Sequence, residues 1–115
     1  MNKITTLKKN SDFRRLYSKG KSYANPYLVL YCRRSPSPVG RVGYTVSVKL
    51  GHAVVRNRVR RRLREIYRLN RPALKNGWDI IVVARSRCVK ARYEKLNSAF
   101  LDACGQLNLL RGEES

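Results

Sequence analysis

Acidic side chains are scarce, and through most of the first half of the chain they are missing. Between Asp12 and Glu65 there is no Asp or Glu, while the same interval carries fourteen Lys or Arg. The whole chain has 7 acids against 26 bases, a formal net charge of +19. A nuclease that holds two metal ions needs several convergent carboxylates, and so few scattered acids do not supply them. Histidine occurs once, as His52. With no second acid–base group close in sequence, it is not expected to do proton-transfer chemistry. The three cysteines, Cys32, Cys88 and Cys104, form no C-x-x-C pair. This odd number argues against a disulfide framework and against zinc, and reads as reduced, buried thiols of a cytoplasmic protein. Long hydrophobic runs are absent too. "YLVLYC" (27–32) and "IIVVA" (80–84) fall far short of the roughly 20 residues of a membrane span. The N-terminus shows no apolar targeting stretch, and neither end reads as a membrane anchor. There is no P-loop, nucleophile motif or internal repeat.

What remains is a chain of 115 residues with 43% hydrophobic content, suited to one domain over 1–115 with one core. A domain this basic meets a polyanion, and nucleic acid is the default partner.

The first ten residues read as a basic arm, with Lys3, Lys8 and Lys9, and 111–115 as a flexible acidic tail. Asn10 or Ser11 is expected to cap a short helix over "SDFRRLYSKG", ended by Gly20. Pro26 separates a short edge strand from a full strand over Tyr27–Arg33. In that strand Leu28, Leu30 and Cys32 alternate with Tyr27, Val29 and Tyr31. "SPSPVG" is a turn, and "RVGYTVSVKL" is expected to be the next strand, hairpin-paired with its predecessor and ended by Gly51. Residues 53–69 are helical by pattern. Val55, Val59, Leu63, Ile66 and Tyr67 make a stripe about 120° wide. "WDIIVVAR" is a continuous apolar strand for the middle of a sheet. Val89, Tyr93, Leu96, Phe100, Ala103, Leu107 and Leu110 mark an amphipathic last helix with Gly105 as its weak spot. The order α-β-β-β-α-β-α predicts an α+β fold, a two-layer sandwich with helices covering one side of a small sheet.

"AVVRNRVRRRLREIYR" (53–68) holds seven arginines, no lysine and one acid, Glu65. Asn57, Arg61, Arg64 and Arg68 lie opposite the apolar stripe; Arg56 and Arg60 border it on one side, Arg58 and Arg62 on the other. A solvated helix face normally mixes signs, because like charges at i,i+4 destabilise it by a few tenths of a kcal/mol per pair. Here Arg56–Arg60–Arg64 and Arg58–Arg62 are rows of one sign. A phosphate backbone would neutralise them, and guanidinium suits phosphate by its planar, bidentate geometry.

"RNRVRRRLRE", preceded by "VSVKLGHAVV", resembles the signature of the bacterial ribonuclease P protein component. "LKKNSDFRRLYSKGKSYANPYLVLY" and "WDIIVVAR" are similar to that family's first helix and strand and to its last strand, so the likeness runs from about Leu7 to Leu110. It implies the small protein subunit of a ribonucleoprotein whose catalytic RNA removes the 5′ leader of precursor tRNA, with no catalytic residue on this chain. It implies an α/β sandwich with a left-handed βαβ crossover. Arg56, Asn57, Arg58, Arg60, Arg61, Arg64 and Arg68 would contact the ribonuclease P RNA. Phe13, Arg14, Tyr17, Tyr31 and Lys49 would line a cleft for the single-stranded leader, with Arg15, Lys19 and Lys21 near its backbone. Mg²⁺ would be held mainly by RNA, none by the protein; no DNA or membrane partner is expected. Two positions depart from the family pattern. Val48 stands where a second lysine is common, and His52 where a small amide or lysine is frequent.

The residues alone leave alternatives open. Phe13 and Tyr17, one helical turn apart, could be core rather than a stacking platform for unpaired bases. A structural RNA-binding protein of the ribosomal type would show the same charge, and a DNA-binding module is a third reading.

Overall fold

A computed structural model describes residues 4–112. Its elements are β1 (Thr5–Thr6), α1 (Asn10–Lys19), β2 (Lys21–Ala24), β3 (Leu28–Arg34), β4 (Arg41–Thr45), α2 (Ala53–Asn70), β5 (Trp78–Ala84) and α3 (Tyr93–Gln106), with 3-10 turns at Val48–Leu50, Arg71–Ala73 and Ser86–Cys88. The strands form one mixed five-stranded sheet in the order β1-β4-β5-β3-β2. β5 lies antiparallel to β3 and parallel to β4. Its run WDIIVVA is buried almost throughout, as an apolar strand with no polar face must be.

The expected β3–β4 hairpin does not form. β5 lies between the two strands, because the most apolar strand gains most from neighbours on both edges. Residues 35–40 therefore cross over the start of β5. Ser35 N–H donates to Gly77 C=O at 2.8 Å. At Gly40 a Cβ would lie 2.0 Å from the Trp78 carbonyl oxygen, so no side chain fits there. β4 also ends earlier than expected, at Thr45. The Ser47 hydroxyl accepts from Lys49 N–H at 3.2 Å and turns the chain into a 3-10 turn, a local bond that competes with the strand ladder.

The α+β class is as expected, but the helices divide between the two faces. On one, Leu28, Leu30, Val42, Ile80 and Val82 pack against Val59, Leu63 and Ile66 of α2 and Leu96 and Phe100 of α3. On the other, Ile81, Tyr31 and Val83 meet Leu7, Leu16 and Phe13. Alternation along β5 produces this split, Ile80 and Val82 to one side and Ile81 to the other. Helix α1 thus covers part of the second face. Leu7 also corrects the expected basic arm. It is buried, and Thr5 and Thr6 beside it pair in parallel with Arg41 and Val42. Residues 1–3 of that arm and 113–115 of the expected tail lie outside the described residues.

Helix α1 begins one residue earlier than expected, with Lys9 at its N-cap and no side-chain cap. An ionic bridge anchors it. Asp79 on β5 is 3% exposed and accepts from Arg41 N–H (3.0 Å), Nε (3.2 Å) and NH2 (2.7 Å). Arg41 NH1 donates to Asp12 of α1 at 3.2 Å. A buried carboxylate is tolerable only when paired and hydrogen-bonded in this way. The last helix is shorter than its apolar period. It ends at Gln106, and Asn108 adopts φ 59°. Leu109 and Leu110 then fold back: Lys75 N–H donates to Leu109 C=O at 2.8 Å, and Leu110 bridges Leu74.

Candidate nucleic-acid interface

Helix α2 is seated by Val59, Leu63, Ile66 and Tyr67, all buried, with Val55 half-buried beside them. Its arginines then sort into three groups. Three are tied down. Arg56 Nε donates to Gly51 C=O at 3.1 Å, Arg60 NH1 to Asn57 Oδ1 at 3.3 Å, and Arg62 NH2 to the Ala91 carbonyl. Arg58, Arg61 and Arg64 are exposed and make no hydrogen bond or ion pair among the described residues. Arg68 is exposed and forks onto Glu65, Nε to Oε1 at 3.2 Å and NH2 to Oε2 at 2.8 Å. Glu65 thus relieves Arg68, and the three free guanidinium groups face solvent.

The start of α2 adds to this field. His52 is the N-cap, makes no side-chain cap bond, and the first turn holds no acid. Unpaired N–H groups and the positive end of the helix dipole favour an anion there. Arg56, in the first turn, stands where the dipole disfavours a cation.

The second expected group assembles on the other face. Phe13 and Tyr17 of α1 have ring centroids 6.4 Å apart, and Tyr17 meets Tyr31 of β3 edge-on at 4.9 Å. The Tyr17 hydroxyl and Thr45 Oγ1 are hydrogen-bonded at 2.7 Å, which joins the tip of α1 to the end of β4. Phe13 and Tyr31 are half-buried against Leu16 and Ile81, while Tyr17 is 40% exposed. The two open readings of this pair therefore combine: Phe13 is anchored in the core, and the group presents ring surface at its rim. Arg14, Arg15, Lys19 and Lys21 are exposed around it. Lys49 does not join these rings. The 3-10 turn after β4 carries it to a separate depression shared with Tyr27, Leu50, Arg87 and Lys90.

The sequence reading missed Thr45, 28 residues from its tyrosine partner, and the Asp12–Arg41–Asp79 bridge. No periodicity reports such contacts. That bridge also bears on metal binding. Asp12 and Asp79 converge on a guanidinium group rather than on an open site, and no group of three His, Cys, Asp or Glu able to hold a metal occurs among the described residues. These residues do not fit a protein-held Mg²⁺.

The family model described as Ribonuclease P matches residues 1–108. The chain belongs to the ribonuclease P protein family. It is 47% identical over 110 residues to the ribonuclease P protein component of Alkaliphilus oremlandii, covering 96% of each chain. It is 46% identical over 99 residues to that of Clostridioides difficile, covering 85% of this chain and 87% of the relative. Among solved structures, the Staphylococcus aureus RNase P protein superposes with a TM-score of 0.85 at 32% identity, over 95% of this chain and 100% of that one. The Thermotoga maritima protein gives 0.78 at 30% identity, over 84% and 92%. Of the two departures from the family pattern, Val48 is 72% exposed on the turn before α2 and His52 caps the helix. Among the described residues no helix is long and apolar enough to cross a membrane.

Proposed function

We propose that this chain is the protein subunit of a bacterial ribonuclease P ribonucleoprotein, acting in the cytoplasm to promote removal of the 5′ leader from precursor tRNA. The observation that carries this reading is the exposed row Arg58, Arg61 and Arg64, which makes no hydrogen bond or ion pair among the described residues, on a helix fixed against the sheet. Together with Asn57, the tethered Arg56 and Arg60, and Arg68, it offers guanidinium groups at set positions to the phosphates of the ribonuclease P RNA. The rings of Phe13, Tyr17 and Tyr31, with Arg14 and the neighbouring lysines, offer unpaired leader bases a stacking surface indifferent to sequence. Lys49 serves the same strand from outside the ring group. The chain supplies binding and position; hydrolysis and the Mg²⁺ it needs fall to RNA.

The test is cleavage of a precursor tRNA by a bacterial ribonuclease P RNA at low Mg²⁺, with and without the protein. Stimulation at the 5′ maturation site, lost in Arg58→Glu/Arg61→Glu, is expected. RNA affinity should fall by about 0.7–0.9 log units per log unit of salt for each phosphate neutralised. Tight RNA binding without stimulation would instead assign a structural RNA-binding role.

A further inference from the structure

The segment after α3 builds a wall at the far end of α2. Arg111 N–H donates to Ala73 C=O at 2.8 Å, Lys75 N–H to Leu109 C=O at 2.8 Å, and Leu110 bridges Leu74. This short ladder lays 109–111 along the 3-10 turn that follows the helix. Ile4, beside β1, closes a third side. Between them lies a cavity of about 380 Å³ lined by Ile4, Arg68, Arg71, Pro72, Asn76 and Arg111, within the roughly 300–1,000 Å³ of ligand pockets. Three of these residues are arginine and none is acidic.

Each guanidinium group is held. Arg111 Nε donates to Leu74 C=O at 2.7 Å and NH2 to Asn76 Oδ1 at 3.1 Å. Arg71 donates to the hydroxyl of the buried Tyr67. Arg68 forks onto Glu65 through Nε and NH2. A guanidinium carries five N–H donors, so Arg68 and Arg111 each keep both N–H groups of NH1 and one of NH2. The Leu74, Asn76 and Tyr67 oxygens are neutral and cancel no charge. Asp79, within electrostatic reach of Tyr67, is bonded to Arg41. Three guanidinium groups less the Glu65 carboxylate leave an excess of two positive charges. Arg68 and Arg71 also suit the negative end of the helix dipole, which is equivalent to about half a charge and leaves the excess positive. The dipole does not account for Arg111, which arrives from beyond α3.

We infer that this cavity is a site for a terminal phosphate of a nucleotide, its oxygens gripped by Arg68 and Arg111, its charge balanced with Arg71, and its sugar against Ile4 and Pro72. A phosphomonoester carries about −1.5 to −2 at pH 7, which matches the excess. A phosphodiester inside a strand carries one negative charge and has no end to turn into a concavity. Guanidinium grips phosphate oxygens in pairs. The bearer is the 5′ end of an RNA or a free nucleotide, since both present the same group. The site stands apart from the exposed row of α2: Arg58 and Arg71 are about 20 Å apart at 1.5 Å of rise per residue. It does not depend on what that row binds.

Trp78 is the only tryptophan of the chain and shares a small pocket with Arg71 and Asn76, so its fluorescence reports on this region. The full chain is titrated at one salt concentration with UUUUU, with the same RNA carrying a 5′-monophosphate, and with uridine 5′-monophosphate. The phosphorylated RNA should bind about tenfold tighter than UUUUU, as for one charge-assisted hydrogen bond, and should change Trp78 emission where UUUUU does not. Arg71→Gln/Arg111→Gln should remove that preference. Arg68→Gln, which breaks no bond to the backbone, should reduce it with unchanged circular dichroism. No preference for the 5′-phosphate overturns the inference, and so does a preference that Arg68→Gln leaves intact. With the preference in place, a matching response to uridine 5′-monophosphate supports the site and makes a free nucleotide sufficient. A response to the RNA alone supports the site and makes an RNA end its ligand.

Discussion

The Phe13 ring fills the space above Gly43: a Cβ on that glycine would lie 2.6 Å from Phe13 Cζ and 2.9 Å from Cε1. The ring that tops the aromatic group is thus seated directly on the backbone of β4. Gly43→Ala should displace it. Overpacking of this kind costs about 1–3 kcal/mol, to be read as a lower urea midpoint. The displaced ring should also narrow the difference in affinity between precursor and mature tRNA. A variant with unchanged stability and unchanged discrimination would show that Phe13 does not depend on this seat.

Removing the ring tests the leader surface itself. Stacking of a base on an aromatic ring is worth about 1–3 kcal/mol. Phe13→Ala is expected to weaken binding of a leader-bearing precursor tRNA to the holoenzyme by roughly that amount and to leave mature tRNA nearly unaffected. Equal losses for both substrates would place Phe13 in the core alone.

Arg41 donates three hydrogen bonds to the buried Asp79 carboxylate and links it to Asp12. Arg41→Met leaves the Asp79 carboxylate the residue-41 N–H but takes away the guanidinium charge that pairs it, which typically costs about 3–5 kcal/mol. Urea denaturation measures this. The double variant Arg41→Met/Asp79→Asn should recover part of the loss, because no buried charge is then stranded. Failure of the single change to lower the midpoint would mean that the bridge contributes nothing to the fold.

The thiols fix a pH dependence. Burial pushes Cys32 and Cys88 up to about 11 from an ordinary 9.0, although Lys21 and Arg62 pull in the other direction. The folded chain therefore keeps its thiol protons where the unfolded chain releases them. Stability should hold below about pH 9 and fall as pH rises toward about 11. Burial acts in the same sense on Tyr44 and Tyr67. The slope of urea midpoint against pH in this window should be shallower in Cys32→Ala/Cys88→Ala than in the parent. Parallel slopes would remove the thiols as the cause.

Helix α2 and strand β5 were legible because their patterns are local. Val59, Leu63, Ile66 and Tyr67 recur at helical spacing, and WDIIVVA has no polar face to turn toward water. The position of β5 between β3 and β4 was not legible, since no residue of "SPSPVG" distinguishes a two-strand turn from a longer crossing. The buried face of α1 was also hidden. Leu7, which completes its cluster, lies among threonines and lysines that read as a solvated arm. In the candidate site, the charge of α2 was plain from composition. Which arginines are free and which are tied depends on acceptors at Gly51, Asn57 and Ala91, partly remote in sequence and partly backbone.

The central place of β5 has a consequence for how the molecule comes into being. A nascent chain that has reached residue 77 holds four of the five strands and the whole arginine helix, yet lacks the strand that joins β3 to β4. Until 78–84 emerge, β4 has no neighbour but the two residues of β1, and the apolar stripe of α2 lacks Ile80 and Val82 beneath it. Such non-local pairing closes late and slowly. The most cationic segment of the protein is therefore synthesised before the surface that holds it exists, and the mid-sheet strand acts as the last stone of an arch.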